Sequence, residues 1–447
     1  MGNSNKKPLL NISGSRRSFV KSTALFSAGM MLPATEMNAM FNTLNDKTLK
    51  IALVGCGGRG TGAANQALKA DENVQLVAMA DAFEDRLNGS LQHLEKEFEG
   101  TKKVKVKDKN KFTGFDAYKK AIDLADVVIL TTPPGFRPYH FEYAVNAGKH
   151  VFMEKPLAVD VPGIRKVLEM AKVAKAKKLN VVVGLQRRYQ KNYIEIEKQI
   201  RSGAVGKITS GQVYWNSSGV WVHPRKLGQS ELDYQMRNWY YFNWLCGDHI
   251  LEQHIHNIDV ANWFIGEHPI SAQGMGGRLV RTGPEHGEIF DHHFVEFKYP
   301  SGAIISSQCR HQPGTWSKVG EDFQGTKGIV DTNDAGAARI LGYDNEDIFS
   351  YRSRNDPNPY QQEHDELFKS IRDNGVINNT EYGAHSTMSA IIGRMATYSG
   401  QVINWDEAMK SELQIMPAEV TWDSTPPSLP GADGNYPIPM PGKTKVM

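Results

Sequence analysis

Residues 48–187 predict an α/β domain, a parallel sheet with helices on both faces, and three observations carry that expectation. A compact apolar, β-branched run from Leu49 to Val54 ends in Gly55-Cys56-Gly57-Gly58-Arg59-Gly60, the spacing G-x-G-x-x-G. A second apolar run, Val74 to Ala80, ends at Asp81. Beyond it apolar runs and helix-like stretches alternate: Asp126 to Thr131, Pro138 to Ala147, His150 to Met153, Val161 to Lys178 and Asn180 to Gly184.

Alone the glycine pattern is weak, because the chain holds 41 glycines. A strand before it and a helix-like Thr61 to Ala70 behind it give it weight as a dinucleotide loop. Gly55 permits the tight turn, Gly57 with its neighbours Gly58 and Arg59 meets the pyrophosphate, and Gly60 lets the helix pack close while its amides face the phosphates. Asp81 follows Gly60 by 21 residues, the separation of the acid that binds the ribose hydroxyls. Its carboxylate repels a 2′-phosphate, so NAD is expected over NADP. Arg59 and Arg86 keep NADP open, since an arginine near that ribose can accept the extra phosphate. Loops at the carboxyl ends of parallel strands line the ligand crevice. Here they are Thr131-Thr132-Pro133-Pro134, Glu154-Lys155-Pro156 and Leu185-Gln186-Arg187-Arg188. The expected cofactor contacts are therefore completed by Thr131, Pro133, Pro134, Glu154, Lys155, Gln186 and Arg187, with His140 on the helix after the first loop.

Residues 188–420 read as a second domain, to which the resemblance given below assigns substrate binding and assembly. Phe294 to Tyr299 and Ala303 to Ile305, separated by Pro300-Ser301-Gly302, read as a hairpin, and Tyr360 to Asp373 as a helix. Tyr214 to Trp244 reads as an insertion or long loop. In the last segment, 421–447, six prolines predict an extended tail lying over its own or a neighbouring subunit.

Residues 1–39 read as a twin-arginine leader: Ser15-Arg16-Arg17-Ser18-Phe19-Val20-Lys21, an apolar run from Thr23 to Leu32, and Ala34 or Ala39 as cleavage sites. The run is about half the roughly twenty residues a membrane span needs. Export in the folded state to the periplasm by the twin-arginine machinery is the expectation, and a cofactor bound beforehand is the usual reason for that route. Without the leader 47 basic residues face 48 acidic ones, so nothing argues for a nucleic-acid partner. Three cysteines exclude a disulfide scaffold.

The glycine loop, the Thr-Pro-Pro turn, Glu154-Lys155-Pro156 and a later Gly247-Asp248-His249-Ile250-Leu251-Glu252-Gln253-His254-Ile255-His256-Asn257-Ile258-Asp259 together resemble the glucose-fructose oxidoreductase, inositol dehydrogenase and MocA (Gfo/Idh/MocA) family over roughly residues 48 to 410. The resemblance implies a Rossmann domain followed by an α+β domain on a large, mostly antiparallel open sheet, with substrate between them. It implies oxidation or reduction of a secondary alcohol of a sugar or cyclitol, with Lys155, Glu252 and His256 as the catalytic group. The family pattern has Asp at Glu252 and Gly at His254; the first change keeps an acid, and the second adds an imidazole of unassigned role.

Hydride transfer from a carbinol needs a base, a positive group beside the developing oxyanion, and a cofactor face close to the C–H bond. On a helix Glu252, His256 and Asp259 fall at i, i+4 and i+7, which places the acid beside the imidazole it would orient, while Lys155 stabilises the alkoxide. His249, His254 and His256 are spaced by five and two, on different helix faces, so no metal is expected unless the backbone near Gly247 is irregular. Trp215, Trp221, Trp239, Trp244, Tyr240 and Tyr241, with Asn216, His223, Arg237 and Asn238, suggest a sugar-binding lid. Arg188, His254, Arg310 and His311 complete the expected substrate contacts with Trp239, Tyr240, Lys155, Glu252 and His256. An NAD-dependent oxidoreductase with tightly held cofactor is the first expectation, assembled as a homo-oligomer. A glycosidase that transiently oxidises its sugar shares the fold, although its Thr-His-Gly segment is missing from the expected place; a catalytically inactive sugar-binding protein is the third.

Overall fold

A computed structural model describes residues 47–447; the arginine pair, the apolar run and the cleavage residues of the leader lie outside them. Six strands, β1 (Leu49–Val54), β2 (Val74–Asp81), β3 (Lys111–Thr113), β4 (Val127–Leu130), β5 (His150–Met153) and β6 (Val181–Val183), pair in parallel in the order β3-β2-β1-β4-β5-β6. Alternate residues serve opposite faces. Ile51, Leu53, Val127, Ile129 and Phe152 pack on one side, and Ala52, Val54, Val128, Leu130 and Val151 on the other. Helices α1 (Gly58–Ala70), α2 (Glu84–Glu97), α3 (Ala117–Asp123), α4 (Arg137–Asn146) and α5 (Val161–Ala176) fill the connections. The strand order reverses between β1 and β4, which opens a crevice beyond their carboxyl ends. Helix α1 starts at Gly58, three residues before the expected Thr61, so the last glycines of the motif lie in its first turn.

After α6 (Lys191–Arg201) comes a sheet of nine strands: β7 (Ile208–Ser217), β8 (Ser271–Gly277), β9 (His292–Lys298), β10 (Ile304–His311), β11 (Lys318–Gly325), β12 (Gly328–Asn333), β13 (Ala337–Gly342), β14 (Asp347–Arg352) and β15 (Ile403–Asn404). Their order is β14-β13-β12-β11-β7-β10-β9-β8-β15, antiparallel throughout except between β7 and β10. The hairpin expected around Pro300 is β9–β10. The expected insertion from Tyr214 begins later, because Tyr214 to Ser217 belong to β7. It then carries α7 (Glu231–Arg237) and ends in α8 (Asn243–Cys246), after which α9 (His249–Glu252) and α10 (Ile255–Ile265) follow.

The helix expected from His249 to Asp259 is interrupted. Asp248 starts α9 with φ 77°, and the chain breaks between Glu252 and Ile255 before α10 resumes. Ile250, Leu251, Ile255 and Ile258 are all buried, so the apolar pattern there has no solvent face that could reveal the break. Two later helices tie the sheets together. Helix α11 (Pro359–Arg372) packs on α1, and α12 (Thr380–Ser399), buried over most of its length, packs on α5, α10, β8 and β9. A short α13 (Trp405–Ala408) precedes a tail without further helix or strand.

Candidate active site

The dinucleotide loop is tight because glycine makes it so. Gly55 has φ +96°, and a Cβ there would meet Thr132 N at 2.5 Å; a Cβ on Gly60 would meet Gly55 O at 2.0 Å. Thr131 closes the turn by donating its hydroxyl to Gly55 O at 2.7 Å. Gly57 and Gly58, by contrast, have nothing within 4 Å of a Cβ position and border the cavity, which leaves bare backbone facing the space a pyrophosphate would fill. Asp81 ends β2 and accepts from Cys56 N at 2.6 Å and Phe83 N at 2.9 Å, which fixes its carboxylate on the same wall. Burial pushes its pKa up, against the lowering effect of those two amides.

The cavity measures about 750 Å³ and runs from the glycine loop and Asp81 past Thr131, Pro133 and Pro134 to Lys155, Glu252 and His256. Arg86, His140, Glu154 and Gln186 line it as expected, and the buried Gln186 Oε1 lacks a protein partner. His140 sits between Tyr118, ring centroids 4.1 Å apart, and Thr132 Oγ1 at 3.2 Å from its Nδ1; burial, helped by Arg137, lowers its pKa to about 3, so it is neutral. Arg59 also lines the cavity, but its charge is engaged by Glu154 and by Glu363, 3.7 Å away. Burial opposes that charge and the two carboxylates outweigh it. Arg59 is therefore committed away from a 2′-phosphate; Arg86 stays on the wall beside Asp81, whose carboxylate with the bare glycine backbone fits NAD.

At the far end Lys155 Nζ donates to the main-chain carbonyl of Glu252 and stands 3.3 Å from its Oε1. The interruption after α9 is what frees that carbonyl from helix bonding. Both side chains are almost covered, 13% and 14% exposed, so the pair is a desolvated one. Burial raises the Glu252 pKa, with Lys155 pulling it back. No hydrogen bond links Glu252 to His256, contrary to the expected acid–imidazole pair: the break turns α10 away, Glu252 serves Lys155, and His256 lies against Trp215 at 5.9 Å. His256 Nδ1 has no protein partner, and burial, reinforced by Lys155 and Arg187, holds its pKa well below the usual value. A neutral imidazole beside an ammonium is a base next to an electrophile. Asp259, expected on the same face, is taken instead by Arg188 and Ser386.

Five expected side-chain contacts lie off the cavity wall, as does Gly60, which packs on Gly55. Arg187 is buried in an ion pair with Glu321 and under Tyr193, behind Trp215. Arg188 is bidentate to Asp259 at 2.8 and 2.9 Å and stacked on Tyr382. His254 bonds Ser307 at 2.7 Å, and Arg310 reaches Trp316 O at 2.7 Å. His311 Nε2 is 2.7 Å from Gln253 Oε1, and only Gln253 reaches the cavity. In all but Arg310, whose partner is six residues on, a residue distant in sequence takes the charge or ring.

The aromatic group divides likewise. Trp215, Trp221, Trp239 and Tyr240 line the cavity with His223 and Arg237, whereas Trp244, Tyr241, Asn216 and Asn238 do not. Tyr240 is buried with its hydroxyl unpartnered. Thr132 of the first crevice loop lines it too, and so do residues that no motif singled out: Phe83, Phe115, Tyr118, Arg137, Gln253 and Tyr360. From the tail, Trp422 packs on Phe83 at 5.4 Å and Phe115 at 4.8 Å, while Arg237 pairs with Asp85 and lies over Phe83.

A glycine loop on a reversing parallel sheet, with lysine, acid and neutral histidine at the far end of one cavity, defines a dinucleotide-dependent oxidoreductase. Sequence models agree: residues 49–184 match the oxidoreductase family with NAD-binding Rossmann fold, and 193–330 match the GFO/IDH/MocA C-terminal domain. The chain belongs to the Gfo/Idh/MocA family of NAD-dependent oxidoreductases. It is 26% identical over 285 residues to inositol 2-dehydrogenase of Rhizobium meliloti, covering 63% of this chain and 75% of that one. Among solved structures it resembles levoglucosan dehydrogenase with NADH and levoglucosan (TM-score 0.63, 17% identity, 80% and 99% covered). It also resembles scyllo-inositol dehydrogenase of Lactobacillus casei with NAD(H) and scyllo-inositol (TM-score 0.59, 21% identity, 80% and 100% covered).

Proposed function

We propose that this chain transfers hydride between a secondary hydroxyl of a sugar, glycoside or cyclitol and a tightly held NAD. The observation that carries the reading is the Lys155, Glu252 and His256 group at the end of the cavity that begins at the glycine loop, walled by Trp215, Trp221, Trp239 and Tyr240. NAD, when bound, supplies the two-electron acceptor. Gly57, Gly58, Asp81 and Gln186 hold it; the aromatic wall receives the C–H face of the ring and excludes water. His256 takes the hydroxyl proton, and Lys155, held by both oxygens of Glu252 that reach it, donates to the oxygen as charge develops there. The relatives named inositol 2-dehydrogenase support this reading over the transient-oxidation glycosidase.

The reading includes export to the periplasm by the twin-arginine machinery, supported by Ser15 to Lys21 and the apolar run behind it. Assembly as a homo-oligomer is supported by the exposed apolar Met275, Leu279, Val280 and Trp316. The test is to purify the exported protein without added cofactor and record the reduced-nicotinamide band with a panel of cyclitols, sugars and p-nitrophenyl glycosides. A band that grows and stays supports the dehydrogenase; nitrophenol release without lasting band growth overturns it in favour of the glycosidase.

A further inference from the structure

The turn that introduces the catalytic segment brings together three buried side chains the reaction does not use. Gly247 has φ 75° and Asp248 φ 77°, the second in a region L side chains rarely adopt, held there by its surroundings. Asp248 Oδ1 thereby lies 2.8 Å from Nδ1 of the next residue, His249. His293, on β9 of the second sheet, brings its Nε2 to 3.3 Å from the same oxygen. One ligand atom from each lies within 4.8 Å of the other two. Asp248 and His249 are fully buried, and His293 is 3% exposed.

Three features of the trio fit a shared ion better than hydrogen bonds alone. First, His293 Nε2 makes no hydrogen bond although it stands 3.3 Å from a carboxylate, and the buried His249 Nε2 is likewise unpartnered. Second, two of the three side chains, His293 and Asp248, are already oriented from outside. His293 Nδ1 meets Thr397 Oγ1 at 2.9 Å, and Asp248 Oδ2 accepts from Phe290 N at 3.0 Å and from the Tyr398 hydroxyl. Such outer contacts fix the rings and carboxylates of metal sites. Third, among the described residues Asp248 is ion-paired only with these two imidazoles, and no lysine or arginine stands within 4.0 Å to balance its buried charge. Donors about 2.1 Å from one ion, at angles between square and tetrahedral, stand about 3.0–3.4 Å apart, and the two spacings from Asp248 Oδ1, 2.8 and 3.3 Å, lie near that range.

We propose that Asp248, His249 and His293 bind a divalent transition-metal ion of the zinc and cobalt class, for which one carboxylate with two imidazoles is an established donor set. The ion pins the catalytic segment to the second sheet. His249 stacks on His311 at 4.4 Å, His311 holds Gln253, and Gln253 lines the cavity beside Glu252. The sequence spacing of His249, His254 and His256 pointed away from metal; the donors that converge with His249 are its neighbour Asp248 and a residue of β9.

The test uses the full chain, stripped with a chelator and titrated with Co²⁺ and then Zn²⁺ without substrate, read by calorimetry and the cobalt absorption bands. One ion per chain is expected, with zinc displacing cobalt. His293→Gln and Asp248→Asn should weaken binding about 100-fold or more, whereas His254→Gln, bonded to Ser307 outside the trio, should leave it unchanged. Absence of stoichiometric binding by the wild type, or equal binding by His293→Gln, overturns the proposal. Should those variants not fold, zinc-edge X-ray absorption of the wild type decides: two imidazoles support the site, and none refutes it. Because substrate is absent from every arm, failure here and failure of the dehydrogenase reading are separate results.

Discussion

Replacing Lys155 by Ala tests the reaction site most directly. At 3.3 Å, with an effective dielectric of about 20, the Lys155–Glu252 attraction is roughly 5 kcal/mol before desolvation is subtracted. Both side chains are nearly covered, so the carboxylate left behind is buried without a partner, a loss of about 3–5 kcal/mol if it stays charged. Protonation of Glu252 relieves much of that. We therefore expect Tm to fall by several degrees at pH 8 and by less at pH 5. The catalytic loss is separate: removal of one charged donor to a developing oxyanion lowers kcat by about 10²–10³. The assay is steady-state reduction of NAD with the best substrate of the panel, alongside NAD affinity by protein fluorescence and melting at both pH values. NAD affinity should change little, because the glycine loop and Asp81 are untouched. A kcat within tenfold of wild type in a folded, NAD-binding variant would refute the role assigned to Lys155.

His256→Ala should reduce kcat by about 10²–10⁴ with NAD binding retained. Because the His256 pKa is depressed, the imidazole is already unprotonated below pH 6.5; kcat/KM of the wild type should stay flat from pH 8 to pH 6, and a fall centred at 6.5 would contradict this. Asp81→Asn should weaken NAD binding by about 10–100-fold, measured by titration, and narrow the preference over NADP. His140, depressed to about 3 when folded, contributes stability that is complete above its unfolded pKa of 6.5 and lost as pH falls below it. His140→Gln should shrink the loss of unfolding free energy between pH 7 and pH 5 by about 2 kcal/mol in denaturant titrations, and an unchanged loss would count against a buried neutral ring.

The parallel sheet, the glycine loop and Asp81 were legible because each is a local pattern: an apolar run, a turn only glycine can make, and an acid at the next strand end. Lys155, Glu252 and His256 were legible through motif order, but their pairing was not. The interruption after Glu252 is surrounded by buried residues, and Lys155 reaches Glu252 across 97 positions of sequence. Arg187 and Arg188 look like ligand contacts in a crevice loop; Glu321 and Asp259, which neutralise them, are 134 and 71 residues away. The aromatic segment was recognisable as a group, yet which rings face the cavity depends on where β7 ends and how α7 and α8 turn.

Trp422, from the tail, packs against two rings of the cavity wall, Phe83 and Phe115. The glycine loop and this ring come from opposite ends of the described residues, so the wall joins segments that no local contact brings together. A chain without the Trp422 ring would keep the first sheet and the glycine loop, yet leave the faces of Phe83 and Phe115 bare to water at the crevice.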